Sequence, residues 1–321
     1  DYVLMGAGIP REIPGALDRL SENEPATLKL QLEGPASEPA EFSFNPGSIW
    51  DTGRPRLRRP RFLAIIASNS LATMLARKAN GRVDGFVIEG PTAGGHNAPP
   101  RGKRELNERG EPLYGPRDEV DTAAIVELGL PFWEAGGKGR PGEVARVKAA
   151  GGAGIQVGTL FAYCRESGLT DEIKSSVLDR CRSGAIDVFT DERASPTGFP
   201  FKTVDLTGSV ADGEVYASRE RLCDLGYLRN AFRDESGRVD YRCPAEPEDA
   251  YVRKGGEASE TPDRRCLCNS LLASIGLGQT RKDGYEEPPL VTSGDDLVHL
   301  GEFLDGRTSY SASDVVDYLL S

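Results

Sequence analysis

The sequence has no apolar run approaching the ~20 residues that a membrane-spanning helix needs, and no basic-then-apolar leader opens it. Neither a membrane protein nor a secreted one is expected. Net positive charge is also missing: 39 Lys and Arg stand against 50 Asp and Glu, a formal net charge of −11. Nucleic acids and anionic membranes need a basic footprint, so neither is an expected partner. Histidine is scarce, with two in 321 residues, so imidazole chemistry has few places to sit. Six cysteines without a leader point to a reducing, cytoplasmic setting and mostly free thiols. Internal repeats and low-complexity tracts are absent.

What is present is the composition of a globular chain, 38% hydrophobic and 28% charged. Short apolar runs end in glycine or a small polar residue and lead into helical patterns. They are Tyr2–Met5, Phe62–Ala67, Gly85–Ile88, Pro131–Ala135 and Gly154–Val157. Runs this short and continuously apolar suit strands buried on both faces. The amphipathic stretches between them are Leu71–Ala79, Val120–Leu128, Gly142–Ala150 and Thr170–Arg182. This alternation predicts an α/β fold with a parallel sheet, and the short spacing suits a barrel as well as an open sheet. Leu28, Leu30, Leu32, Phe42 and Phe44 alternate around a turn, which reads as a hairpin inserted near residues 27–45. Residues 97–118 read as a long loop, a feature more often functional than idle.

After about Asp187 the alternation stops. A boundary is expected near 186, between a barrel-like part at 1–186 and a turn-rich, helical region at 187–321. Helical patterns return at Leu267–Leu277 and Ser313–Leu320, with Ser313 a plausible N-cap. The chain starts at Asp1 directly before an apolar strand, so residues are expected upstream.

The strongest chemical signal is Glu89-Gly-Pro-Thr-Ala-Gly-Gly-His96, at the C-terminal end of an expected strand. Catalytic groups of parallel barrels sit on such βα loops. Gly94 and Gly95 would let a flat ring approach the backbone, and His96 suits proton transfer or hydrogen bonding to a developing anion. The plainer alternative is a glycine-rich turn with an incidental histidine; His299 stands in an ordinary helical context. The second signal is a pair of successive strand ends, Ala135-Gly136-Gly137 and Gln156-Val157-Gly158-Thr159. Glycine lets backbone N–H groups converge on one phosphate, and Thr159 adds a hydroxyl; tight βα turns also need glycine.

Together these stretches resemble the nitronate monooxygenase family, whose pattern is Gln-Gly-x-Glu-Ala-Gly-Gly-His, then Gly-Gly, then Gln-x-Gly-Thr and an aromatic. Gly6-Ala7-Gly8-Ile9-Pro10 is similar to its Gly-x-Pro. The resemblance covers about residues 1–170. It implies an FMN-binding (β/α)8 barrel, here without its first three strands, roughly a hundred residues. It implies His96 as catalytic histidine, acting as base or hydrogen-bond donor, and Glu89, Gly94, Gly95, Gly136, Gly137, Gln156, Gly158 and Thr159 as FMN-binding residues. The implied reaction oxidises an alkyl nitronate, or a similar small carbanion-like substrate, with dioxygen. An NAD(P)H-dependent enoyl-thioester reductase with a similar Gly-Gly-His, and a non-catalytic flavin- or phosphate-ligand-binding protein, are the alternatives. The sequence departs from the family at Glu89, where the pattern has Gln, and at Thr92, where it has Glu; a carboxylate donates no hydrogen bond unless protonated.

Elsewhere, Cys223, Cys243, Cys266 and Cys268 read as buried free thiols, with a zinc site as the alternative. Cys164 and Cys181 read as packing residues. Asp295-Asp296 and Glu286-Glu287 read as solvated surface, Trp133 as core and Trp50 as ambiguous. Arg54, Arg56, Arg58, Arg59 and Arg61 read as a solvated loop rather than a phosphate site.

Overall fold

The computed structural model describes residues 1–6, 8–34, 39–49, 53 and 55–321. Ala7, Trp50, Arg54 and the hairpin turn at 35–38 lie outside the described residues.

The N-terminal half is built from β1 (Tyr2–Met5), a hairpin of β2 (Ala26–Leu30) and β3 (Ala40–Phe44), then β4 (Arg61–Ile66), β5 (Gly85–Glu89), β6 (Phe132–Ala135) and β7 (Gly154–Gln156). The hairpin pairs with itself, and the other five strands form one sheet in the order β1-β4-β5-β6-β7. Every pairing in that sheet is parallel. Apart from the inserted hairpin, each strand lies beside the next in the chain. Such steady progression in one direction is the winding of a barrel wall; a doubly wound sheet reverses at its middle. The sheet stops short of closure. Among the described residues, β1 and β7 each have one strand neighbour.

The strand sequences explain the burial. Phe62, Ala64 and Ile66 of β4, with Phe86 and Ile88 of β5, pack against Ala72 and Leu75 of the helix Asn69–Lys78 and Ile125 of the helix Thr122–Val126. The alternate residues Leu63, Val87 and Ala135 form a smaller cluster on the opposite face with Ile65 and Trp133. Both faces are covered, so the strands are continuous apolar runs. The register pairs Glu89 with Ala135 and Ala135 with Gln156. Those three residues therefore form one layer on that second face, at the C-terminal end of the sheet.

The second half contains two antiparallel pairs, β8 (Val188–Asp191) with β9 (Phe201–Val204) and β10 (Asn230–Arg233) with β11 (Val239–Arg242). The expected boundary near 186 does not coincide with a break in the core. A single buried cluster runs from Leu160 through Val177, Val188, Val204 and Val291 to Tyr310 and Leu319. The last helix, Ala312–Leu320, is capped by Ser311, which accepts from Asp314 N at 3.1 Å, so Ser313 lies inside the helix. The Asp314 carboxylate accepts in return from Ser311 N, and this reciprocal box fixes the start two residues earlier than expected.

Arg59 departs from the solvated loop expected of its neighbours. Its side chain is buried, bridging Asp18 and Asp84 and donating to the carbonyls of Pro60 and Arg82. It thereby ties the helix Ile13–Ser21, which the sequence pattern did not mark, to the sheet. Arg56 and Arg58 are exposed as expected. No helix among the described residues is long and apolar enough to cross a membrane.

Candidate functional site

A cavity of about 330 Å³ opens at the C-terminal ends of β5, β6 and β7. Its lining includes Glu89, Gly94, Gly95, Gly136, Gly137, Gln156, Gly158 and Thr159. Three loops that lie apart in sequence thus converge on one space because their strands are neighbours in a parallel sheet. The glycines divide into two kinds. A Cβ at Gly94 would sit 2.7 Å from the backbone of Ser293 and Gly294, and one at Gly136 would sit 2.8 Å from Ala93 N. These two let one stretch of backbone lie directly against another, so Gly94 packs against the chain and does not offer the free platform its position suggested. A Cβ at Gly95 or Gly158 would meet nothing within 4 Å. Those two leave space in the cavity wall itself.

The opposite wall comes from Thr292, Ser293, Gly294 and Asp296, which sequence reasoning missed as site residues. Gly95 N donates to Thr292 Oγ1 (2.9 Å), and that hydroxyl donates to Lys202 O (2.6 Å). Gly294 N donates to Thr159 Oγ1 at 3.0 Å, Asp295 N to Thr92 O at 3.0 Å, and Gly139 N to Asp296 Oδ2 at 2.9 Å. Ser293 Oγ and Tyr163 OH are 3.0 Å apart and buried. One segment near the C-terminus therefore holds all three βα loops in place. Its local signal was present: Leu290-Val291 followed by Thr-Ser-Gly repeats the pattern of an apolar run ending in small residues.

His96 lies beside this cavity and is not part of its lining. Its Nε2 is 2.6 Å from Ser195 Oγ, and its ring packs edge-on against Phe201 with centroids 4.9 Å apart. Asn97 N donates to Pro200 O and Lys202 N to Gly95 O, so β9 fixes the loop on both sides of the histidine. Burial holds the His96 pKa below the ordinary histidine value, which favours the neutral ring. Ser195 is fully buried and bonds onward to Thr197 Oγ1 at 2.8 Å, so it orients the imidazole from a position closed to solvent. Lys202 is buried too. Its Nζ contacts Asp295 Oδ1 at 2.7 Å and Thr190 Oγ1 at 2.8 Å.

The cavity lining carries two carboxyl groups and no cation. Burial raises the pKa of Glu89 from 4.5 to about 7 and also raises that of Asp296. Both shifts favour the neutral acid, which reduces repulsion toward an anionic ligand. The donors on offer are backbone N–H groups, the Gln156 amide and the hydroxyls of Thr159 and Ser293. This set, with open space over Gly95 and Gly158, fits a phosphate-bearing ligand with a flat polar ring, as FMN is.

Two acidic residues expected at the solvated surface lie elsewhere. Glu287 is not solvated surface: it is fully buried, with Oε1 accepting from Arg219 Nε at 2.6 Å and from Ser270 Oγ at 3.1 Å. Asp296 is half-buried in the cavity wall. Cys243 and Cys266 are buried free thiols, with Cys223 and Cys268 half-buried. Among the described residues no three His, Cys, Asp or Glu side chains are grouped to hold a metal ion. His299 is exposed and pairs with Glu302.

Residues 52–186 match the family model described as nitronate monooxygenase. No curated protein matches the sequence. Among solved structures, FabK from Thermotoga maritima aligns with 99% of this chain and 66% of its own, at 17% identity and a TM-score of 0.47. The enoyl reductase domain of MlnA, from the macrolactin biosynthesis cluster of Bacillus amyloliquefaciens, aligns over 99% of this chain and 73% of its own, at 12% identity and a TM-score of 0.48. Nitroalkane oxidase from Streptomyces ansochromogenes aligns over 45% of this chain and 38% of its own, at 23% identity and a TM-score of 0.34. The chain thus spans just under two-thirds of FabK and well under half of the nitroalkane oxidase. The segment matched by the nitronate monooxygenase model, residues 52–186, is the one that forms β4 to β7 and their loops.

Proposed function

We propose that this chain carries the flavin site of an FMN-dependent oxidoreductase that oxidises alkyl nitronates, or similar small carbanion-like substrates, with dioxygen. One observation carries the reading: the eight residues that the family resemblance implies as flavin ligands, Glu89 through Thr159, line a single cavity. The backbone N–H groups of 136–137 and 158–159 would hold the phosphate, with Thr159 adding a hydroxyl. The flavin supplies the electron-accepting chemistry when bound. The chain's part is to orient, desolvate and move a proton. A neutral His96 accepts a proton from a nitroalkane, or donates a hydrogen bond to the nitro oxygens of a substrate that arrives ionised. Ser195 is the positioning residue behind it, since a hydrogen bond at Nε2 fixes the ring's rotation. Phe201 holds the other dimension of that rotation.

The test is an anaerobic absorbance experiment on protein supplied with FMN. Bleaching of the flavin band by propyl nitronate, followed by recovery in air, is expected. Bleaching by NADH and not by nitronate would replace this reading with an enoyl-thioester reductase. His96→Ala should bind FMN normally and lose turnover by on the order of a hundredfold. Unchanged turnover would remove His96 from the chemistry.

A further inference from the structure

Glu89 occupies an unusual position. Its side chain shares the inner layer at the end of the sheet with Ala135 and Gln156, and it lines the flavin cradle together with two further cavities on the other side of the β5 loop. Among the described residues its carboxyl has no hydrogen-bond or ion-pair partner, and burial alone raises its pKa to about 7. The charged groups around these cavities are engaged elsewhere. Lys138 and Arg146 pair with Glu134 at 3.0 and 2.5 Å, and the Arg101 guanidinium donates to the carbonyls of Ala67 and Arg117. Asp118 accepts from Arg101 N and Gly115 N, Tyr114 donates to Ala98 O, and Asp296 accepts from Gly139 N. Glu119 lies in the rim of the second cavity. Among the described residues no cation is left to hold an ionised Glu89.

An ionised carboxylate accepts hydrogen bonds only, whereas a carboxylic acid can donate one. Ring carbonyls and unprotonated ring nitrogens of a flavin are acceptors. Facing an ionised Glu89 they would set acceptor against acceptor in a half-buried wall. Resting on the flavin reading above, we propose that Glu89 is protonated when the cradle is filled and donates a hydrogen bond to an acceptor atom of the flavin ring, so that FMN binding takes up a proton. The balance is simple: the ionised acid, a solvent proton and FMN combine into the neutral acid bonded to the ligand. A glutamine at this position would donate through its amide without any proton uptake.

The experiment is a titration of the full chain with FMN, followed by quenching of flavin fluorescence, at about pH 6 and about pH 8. Wild type should bind about tenfold more weakly at the higher pH. Glu89→Gln should remove that tenfold difference and bind at both values as wild type does at the lower one. The phosphate of FMN titrates near this range, but it does so equally for every variant. A Glu89→Gln variant that keeps the full tenfold change overturns the proposal. Calorimetry of wild type in two buffers of different ionisation heat is the second measurement. It should show uptake of most of a proton per FMN at about pH 8, and zero uptake overturns the proposal without any variant. Failure of wild type to bind FMN at either pH would instead overturn the flavin reading on which the proposal rests.

Discussion

Residues 61–186 and residues 187–321 use different means to reach the same site. In the first region, four parallel strands alternate with helices, and each site residue follows from a local rule: a strand ends, a glycine turn begins, and the residue faces the cavity. In the second, no such period exists. Its contributions come through long-range hydrogen bonds: Ser195 to His96, Thr292 to Gly95, and Gly294 to Thr159. The first region provides the strand-end wall of the cradle; the second supplies the opposite wall and holds the loops in place. A catalytic geometry needs both, because loops on a sheet edge are precise only when something packs on them from outside.

The largest effect should come from cutting the second region's buried ion pair. Glu287→Ala leaves Arg219 charged and buried without its partner, which should cost about 3 to 5 kcal/mol in a urea titration. If the two regions share one core, as the cluster from Leu160 to Leu319 implies, unfolding stays a single transition at lower urea. A split into two transitions would separate the regions and break the comparison.

Next is the pH dependence of stability. The folded pKa of Glu89 is raised to about 7 from 4.5, so the unfolded chain releases this proton more readily. The neutral acid's contribution is complete below about pH 4.5 and is lost as pH rises toward about 7, then stays level. Glu89→Gln should remove this slope, gaining on the order of 3 kcal/mol over wild type at pH 8 relative to pH 4.5. Parallel stability–pH curves for the two proteins would show that burial at this strand end does not shift the acid.

A smaller loss should follow from Gly136→Ala. Its φ of +80° and the 2.8 Å approach to Ala93 N disfavour a side chain, and about 2 kcal/mol is expected by thermal melting. A loss under about 0.5 kcal/mol would mean that the two βα loops adjust independently.

Much of the sheet was legible because strands buried on both faces are continuous apolar runs, and β4 to β7 appear where those runs are. That the loops after β5, β6 and β7 share one cavity was legible for the same reason: neighbouring parallel strands end side by side. His96 was found by its glycine neighbours, but its engagement by Ser195, 99 positions away, leaves no local trace. Glu287 looked like surface because an acidic pair gives no sign of which side it faces, and its partner Arg219 is 68 residues earlier. The helix Ile13–Ser21 was obscured by Pro14 and Gly15 in its first turn, where proline is in fact well tolerated. Segment 292–296 did carry a signal, an apolar run ending in Ser-Gly, but it lay beyond the point where the strand–helix rhythm had stopped.

The most direct test of the central claim uses Gly158. A side chain there would enter open space in the cradle wall, with an ordinary φ of −112°. Gly158→Val should therefore melt within about 0.5 kcal/mol of wild type while losing FMN binding, measured by fluorescence quenching, by at least about a hundredfold, roughly 2.7 kcal/mol. Equal FMN affinity in the two proteins, with equal stability, would contradict the assignment of this cavity to the flavin.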